Sequence, residues 1–500
     1  MDFESAIKEF KRLQERVKAI NHALSLIFFD GEVAAPSNTA KNRMRAVEVL
    51  NATNYNLKYA DETADLVDFL TEHEDELTPV ERRSLNVLRR DIDKKRNVPK
   101  DKYVRYENLI VSAQDAWHKA IEDNNYSLFR PYLEELFEST AELSVYSGSD
   151  MSPYDYCLDN FEPGTHTAFY DCLMDGVKQE IIPLFQSITG KPQLDDSCLK
   201  GSFRADKQEE LTRYLLKLLN IDMDHVCLAT AEHPFSRTMG SHLDVRLATR
   251  YSIKDFTLSL YTILFECAHV LFVTGQNEEV IYTFADDAVT LGIMESQTYL
   301  YENVFGRSRA FVEAIYPELK RLFPDPIANH TPEDIYYAVN RVVAGPIRIG
   351  SDEISNNLHV LVRYELEKAL MDKSLSTKDL PDAWAEKYKK YLGVEVTDTA
   401  KGVLQDIHWA HGAIGHFPTA ILGRCFAAII LDKMKESVDI EKGLREGDFT
   451  AINEWNREHV WNKTSFYDTE EVMAQIDKAP INTDAYIKYL KEKYSELYEL

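Results

Sequence analysis

The sequence predicts a mostly helical protein, a single large domain over 1–500 with one small β-sheet. Three features point to it. Gly accounts for only 19 of 500 residues, well below the roughly 7% of ordinary chains. Apolar residues recur three and four apart along most of the length, the period of a helix with one buried face. Alternating, β-branched patterning is confined to residues 226–251. The apolar fraction of 44% is enough to bury a sizeable core.

Ile7, Phe10, Leu13, Val17, Ile20 and Leu24 mark a first helix over 4–29, and Pro36 breaks the chain after it. A helix of mixed charge follows over 38–60. Two more lie within 62–96, the second opened by Thr78-Pro79-Val80-Glu81, a capping Thr with Pro in the first turn and Glu three residues on. Pro99 opens a helix to 123, closed by Asn124-Asn125, and Pro131 is expected to open the next, to about 146. A polar turn (147–153) and a loop (160–165) precede a helix to about 189, and 208–219 is helical again. Segments 226–229 and 244–251 read as strands, with His233-Pro234-Phe235 between them. Segment 255–275 is long, apolar and free of Pro, and stops at Gly275. Further helices are expected over 286–305, 308–322, 331–343, 351–371, 380–391, 402–415, 419–434 and 483–497.

A formal net charge of −26 repels phosphate, so neither nucleic acid nor an anionic membrane is an expected partner. Six scattered cysteines without a C-x-x-C pair suit a reducing compartment. The N-terminus shows no signal-peptide pattern, and the apolar run 420–431 is interrupted by Arg424 and too short to span a bilayer. The expected location is cytoplasmic.

The chemistry concentrates at Phe265-Glu266-Cys267-Ala268-His269, inside the 255–275 helix. Its spacing is that of H-E-x-x-H, in which two His one turn apart share a metal and the Glu takes a proton from bound water. Phe265 stands where the first His belongs. Glu295, on a later helix, is placed to be a further ligand. Cys267 points to another face and cannot replace the missing one. A carboxylate at Glu266, in so apolar a helix, requires a partner.

The surrounding motifs give the segment a context. His233-Pro234-Phe235, Asp244-Val245-Arg246-Leu247-Ala248, Met294-Glu295-Ser296-Gln297, Ile347-Arg348-Ile349-Gly350-Ser351-Asp352 and Gly402-Val403-Leu404-Gln405-Asp406-Ile407-His408-Trp409 occur in that order. With them the chain resembles the carboxypeptidase Taq family of metallocarboxypeptidases over essentially its whole length. The resemblance implies a zincin-like helical fold with a deep central groove, residues 1–150 forming one wall or lid of it. It implies a homodimer, and removal of C-terminal residues from peptides. It assigns zinc to both His of H-E-x-x-H and to the Glu of H-E-S-Q, of which His269 and Glu295 are present here. It makes Glu266 the general base and Arg348 the clamp for the peptide's terminal carboxylate, with His233, Gln405 and His408 also at the substrate.

The departures from that pattern cluster at the site: Phe265 for His, Met294 for His, Ala248 for Thr, Ser351 for Ala, and His416 and Ala420 where the family has Tyr. Two protein ligands do not hold a catalytic zinc tightly. A substitute would have to be Glu266, which would then cease to be the base, or His233, His242 or His408. The first expectation is therefore a metal-deficient carboxypeptidase homologue, weakly active or inactive, that binds peptide C-termini. The alternatives are an active, broad-specificity metallocarboxypeptidase with a rearranged metal site, and a different chemistry in the old groove.

Overall fold

The computed structural model describes residues 2–148 and 150–500. Ten helices precede the sheet: α1 (Phe3–Val33), α2 (Ala40–Lys58), α3 (Asp61–Glu72), α4 (Pro79–Lys95), α5 (Lys100–Glu122), α6 (Tyr126–Tyr146), α7 (Pro153–Phe161), α8 (Thr167–Gly176), α9 (Ile182–Thr189) and α10 (Ala205–Leu218). Strands β1 (Val226–Thr230), β2 (Phe235–Thr238) and β3 (Val245–Thr249) follow. Then come α11 (Phe256–Thr274), α12 (Leu291–Tyr299), α13 (Arg309–Leu322), α14 (Pro324–Ile327), α15 (Pro332–Val339), α16 (Ser355–Met371), α17 (Leu380–Leu392) and α18 (Pro418–Met434). Four short helices and a last long one, Asp484–Tyr498, complete the chain.

Local signals place most of these. Thr78 and Glu81 form the reciprocal capping box the sequence predicts, with Pro79 in the first turn of α4. The Asp255 side chain accepts from the Thr257 backbone N–H and starts α11. The sheet has the order β1-β3-β2, with β1 parallel to β3 and β2 antiparallel to it. Val245, Leu247 and Ala248 of β3 are buried, and β2 brings Ser236 against α11.

Four expectations change. α6 begins at Tyr126, because Asn125 caps it through the Ser127 N–H, and Pro131 lies inside the helix. The helix expected from 286 begins at Leu291: Asp286 is held by His242 and Lys18, and residues Phe284–Asp287 form a 3₁₀ turn. Segment 402–415 is a series of turns with only a short 3₁₀ helix, His408–His411. Gly412 and Gly415 there have φ of +69° and +88°, and a Cβ on Gly415 would lie 2.9 Å from the Cys157 carbonyl carbon. The short helices between 440 and 476 add to the expected set: Asp439 caps the first, which stops at a left-handed Gly447, and Asp468 and Glu471 form a capping box on the last.

Helices α11, α12, α16 and α18 form the centre of the main core, which includes Ile263, Leu264, Ile293, Leu361 and Ile421. α11 is long and apolar enough to span a membrane, with mean hydropathy 1.7, but 67% of that window is buried inside the protein. The N-terminal helices hold a second apolar cluster, with Phe10, Val17, Leu70 and Leu88, that meets Phe284 of the body.

Candidate active site

α11 carries Phe265, Glu266 and His269. The Gly at its stop, Gly275, has a packing cause. Gly275 has φ of −88°, so no left-handed cap is involved; a Cβ there would overlap the Trp461 ring. Glu266 is 7% exposed, and its Oε2 lies 3.3 Å from His269 Nδ1. Ser236 Oγ reaches the same ring nitrogen, also at 3.3 Å. This supplies the partner that a carboxylate in an apolar helix requires. The Phe265 ring meets the His269 ring edge-on, with centroids 5.0 Å apart.

α12 brings Glu295 to the site. Its first turn is held by Glu162 of the 160–165 loop, whose Oε2 accepts from the Gly292 N–H at 2.8 Å. Burial pushes the Glu162 carboxyl up to about 7. α12 packs closely on α18: a Cβ on Gly423 would stand 2.5 Å from the Cβ of Glu295. Met294 points into the core instead. Glu295 lines a cavity of about 290 Å³ together with Phe265, Arg348, Arg424, His416 and Phe417. Burial raises its carboxyl, against the charges of His269, Arg424 and Arg348, and it makes no hydrogen bond or ion pair through its side chain to any described residue. Beyond α12 the chain continues as a π-helical stretch, Leu300–Phe305, that adds Glu302 and Asn303 to the cavity wall. Such stretches recur at functional sites.

Arg348 lies on the loop before α16, and its Nε and Nη2 donate to Asp406 Oδ1 at 3.0 and 2.7 Å. Asp406 also accepts from Arg363 Nε at 2.6 Å through its other oxygen. Burial alone would raise the Asp406 carboxyl, but Arg363 and Arg348 hold it well below the usual carboxylate range. Gln405 accepts from the Arg348 N–H at 2.8 Å, and its amide donates to the carbonyls of Pro346, Lys401 and Gly402. Its side chain thus positions Arg348. His408 stacks on His416, centroids 4.7 Å apart, and its Nδ1 is buried with no partner among the described residues. His233 is exposed at the β1–β2 turn. His242 is buried and bonded to Asp286 at 2.7 Å.

The site therefore gathers Phe265, Glu295, Arg348 and Arg424 around one cavity, with Glu266 and His269 on the adjoining turn of α11. Asp406, Arg363, Asn356 and Arg424 were not singled out from the sequence. For Arg424 the sequence carries a signal: it is the one charge within the apolar run 420–431.

The family model for carboxypeptidase Taq (M32) metallopeptidases matches residues 9–494. The chain belongs to this family. Carboxypeptidase 1 of Bacillus subtilis is 33% identical over 504 residues, covering 100% of both chains. Thermostable carboxypeptidase 1 of Pyrococcus furiosus is 31% identical, covering 98% of each. The crystal structure of the M32 carboxypeptidase of Deinococcus radiodurans superposes with a TM-score of 0.95 at 26% identity, over 99% of this chain and 100% of that one. That of Pyrococcus furiosus carboxypeptidase gives 0.94 at 30% identity, over 99% of each. The family resemblance and the helical fold with its small sheet are thus borne out.

The donors present do not fit the M32 metal expected from the resemblance. Where its first ligand belongs, Phe265 presents a hydrocarbon ring. Of the candidates for a substitute, Glu266 lies beside His269 with its Oε2 3.3 Å from Nδ1, His233 is exposed, His242 is tied to Asp286, and His408 stacks on His416. Among the described residues no three His, Cys, Asp or Glu side chains are grouped to hold a metal ion. His269 and Glu295 supply two of the three protein donors that a catalytic zinc takes.

Proposed function

We propose that this chain keeps the carboxypeptidase groove as a binding site for peptide C-termini and has lost most or all of the metal-dependent hydrolysis. The observation that carries this reading is the Phe265 ring. It stands at the position of the first ligand, edge-on to His269 and on the wall of the cavity that Arg348 and Glu295 share. A phenyl ring donates no electron pair to a metal and fills the space where a third ligand would sit. Arg348, in contrast, is held in place by Asp406 and Gln405 and keeps a face toward the cavity. A guanidinium so fixed suits the planar terminal carboxylate of a peptide.

The test has two parts. Purified protein equilibrated with excess zinc or cobalt and then dialysed should retain well under one metal per chain, and should release no C-terminal residues from a varied peptide set. The same protein should bind free-carboxylate peptides better than their amidated forms, and Arg348→Ala should remove that difference. Stoichiometric metal with chelator-sensitive hydrolysis would identify instead an active carboxypeptidase with a rearranged metal site. Equal affinity for free and amidated peptides would eliminate the clamp.

A further inference from the structure

Arg424, near the middle of α18, is 8% exposed and faces the cavity. Its Nη1 donates to Asn357 Oδ1 at 2.6 Å and its Nη2 to Asn356 Oδ1. Its guanidinium lies 5.8 Å from the centre of the Tyr299 ring. No carboxylate of the described residues lies within ion-pair distance of it. A guanidinium taken out of water and met only by amide oxygens retains much of its desolvation penalty, which an anion in the cavity would relieve.

Apart from Glu295, the other charges of the cavity are engaged. Glu302 pairs with Arg307 at 3.4 Å. Glu353 is held by Lys493 at 2.7 Å and by the hydroxyls of Tyr299, Tyr489 and Tyr494. Asp352 accepts from the backbone N–H groups of Ile354 and Ser355 at the start of α16. Arg348 shares the single carboxylate of Asp406 with Arg363. Asn356, which accepts from Arg424, also donates to Ser351 Oγ at 2.9 Å and to the Arg348 carbonyl at 3.4 Å. Arg424 and the Arg348 loop therefore flank one asparagine side chain. One turn before Arg424 on α18, Ala420 lines the same cavity, where the family pattern has a larger Tyr.

We infer that Arg424 is a second anion-binding residue of this cavity and sets its specificity: the chain takes peptides whose last residue is Glu or Asp. Arg348 receives the terminal carboxylate and Arg424 the side-chain carboxylate. This rests on the clamp role proposed above for Arg348. Glu295 opposes an acidic ligand, so the preference depends on Arg424 outweighing it.

Fluorescence anisotropy with peptides identical except for a last residue of Glu, Gln or Lys decides the matter on the unaltered protein. The Glu peptide should bind about tenfold more tightly than the Gln peptide, as expected of one charge-assisted contact. That ratio should fall as salt is raised, and Arg424→Gln should bring it to about one. Equal affinity for the Glu and Gln peptides, tightest binding of the Lys peptide, or a ratio that survives Arg424→Gln would each overturn the inference while leaving the clamp intact. If none of the peptides binds, the clamp and the inference fall together. Should Arg424→Gln not fold, the comparison of peptides on the unaltered protein still decides.

Discussion

The ring of Phe265 stands edge-on to that of His269, centroids 5.0 Å apart and planes at 79°. The two residues are one helical turn apart on α11, the relationship that lets two histidines share a metal. Here it produces an edge-to-face aromatic contact, worth about 0.5–1.5 kcal/mol beyond the area it buries. Phe265 thus gives His269 an apolar contact on one side, opposite in character to the Glu266 and Ser236 oxygens at its Nδ1.

Restoring the ligand should restore the metal. Phe265→His would place a second imidazole beside His269, with Glu295 across the cavity as the third donor. The variant should bind cobalt with the visible absorption of a low-coordinate site, at an affinity higher by on the order of a hundredfold. Its metal-free form should be less stable than the unaltered protein by about 1 kcal/mol, from the lost aromatic contact. Unchanged cobalt affinity would mean that His269 and Glu295 are no longer placed as ligands.

The approach of α12 to α18 should tolerate no side chain. In Gly423→Ala the new Cβ would lie 2.5 Å from the Glu295 Cβ and 3.0 Å from the Gly292 carbonyl oxygen. Overpacking of this kind costs about 1–3 kcal/mol, measurable by urea denaturation. Gly345 has open space around it, so Gly345→Ala should change stability by no more than about 1 kcal/mol. Equal effects would refute the close contact.

Asp406 is the one carboxylate between Arg348 and Arg363, and the Arg363 side chain is 1% exposed. Asp406→Asn keeps the shape but leaves a buried guanidinium without its counter-charge. Losses from such a change run at about 3–5 kcal/mol. A loss below about 1 kcal/mol would show that water or another acid reaches Arg363.

Acid should weaken the fold through His408 and His416. Burial pushes His408 down from 6.5 to about 3, helped by His416, and pushes His416 down to about 4, helped by Arg348. The unfolded chain therefore binds protons that the folded chain refuses. The stability these rings contribute is complete above pH 6.5 and is lost as pH falls toward 4 and then 3. His416→Tyr, the residue of the family pattern, should flatten that fall between pH 6.5 and 4. The same slope in the variant would assign the effect to other groups.

Local chemistry was legible in the chain itself. The capping box at Thr78, the Asp255 cap, the apolar run of α11 and the alternation of β1 and β3 each depend on neighbours a few residues away. The ordered motifs carried the family, and Phe265 stands out in the chain as a departure from its pattern. Contacts between distant segments were not legible. Position 275 at the end of α11 must be Gly because Trp461 packs there, α12 starts late because Lys18 and His242 hold Asp286, and 402–415 avoids helix where Gly415 packs on Cys157 and Asp406 reaches across to Arg348 and Arg363. Arg424 is the sharpest case. In sequence it is the one charge in the apolar run 420–431. Only packing, which set it against two asparagine oxygens with no carboxylate of the described residues within ion-pair distance, decided that it faces the cavity. Caps and periodicity are encoded over a few residues. The partners of a buried charge are encoded by whichever segments the fold brings together.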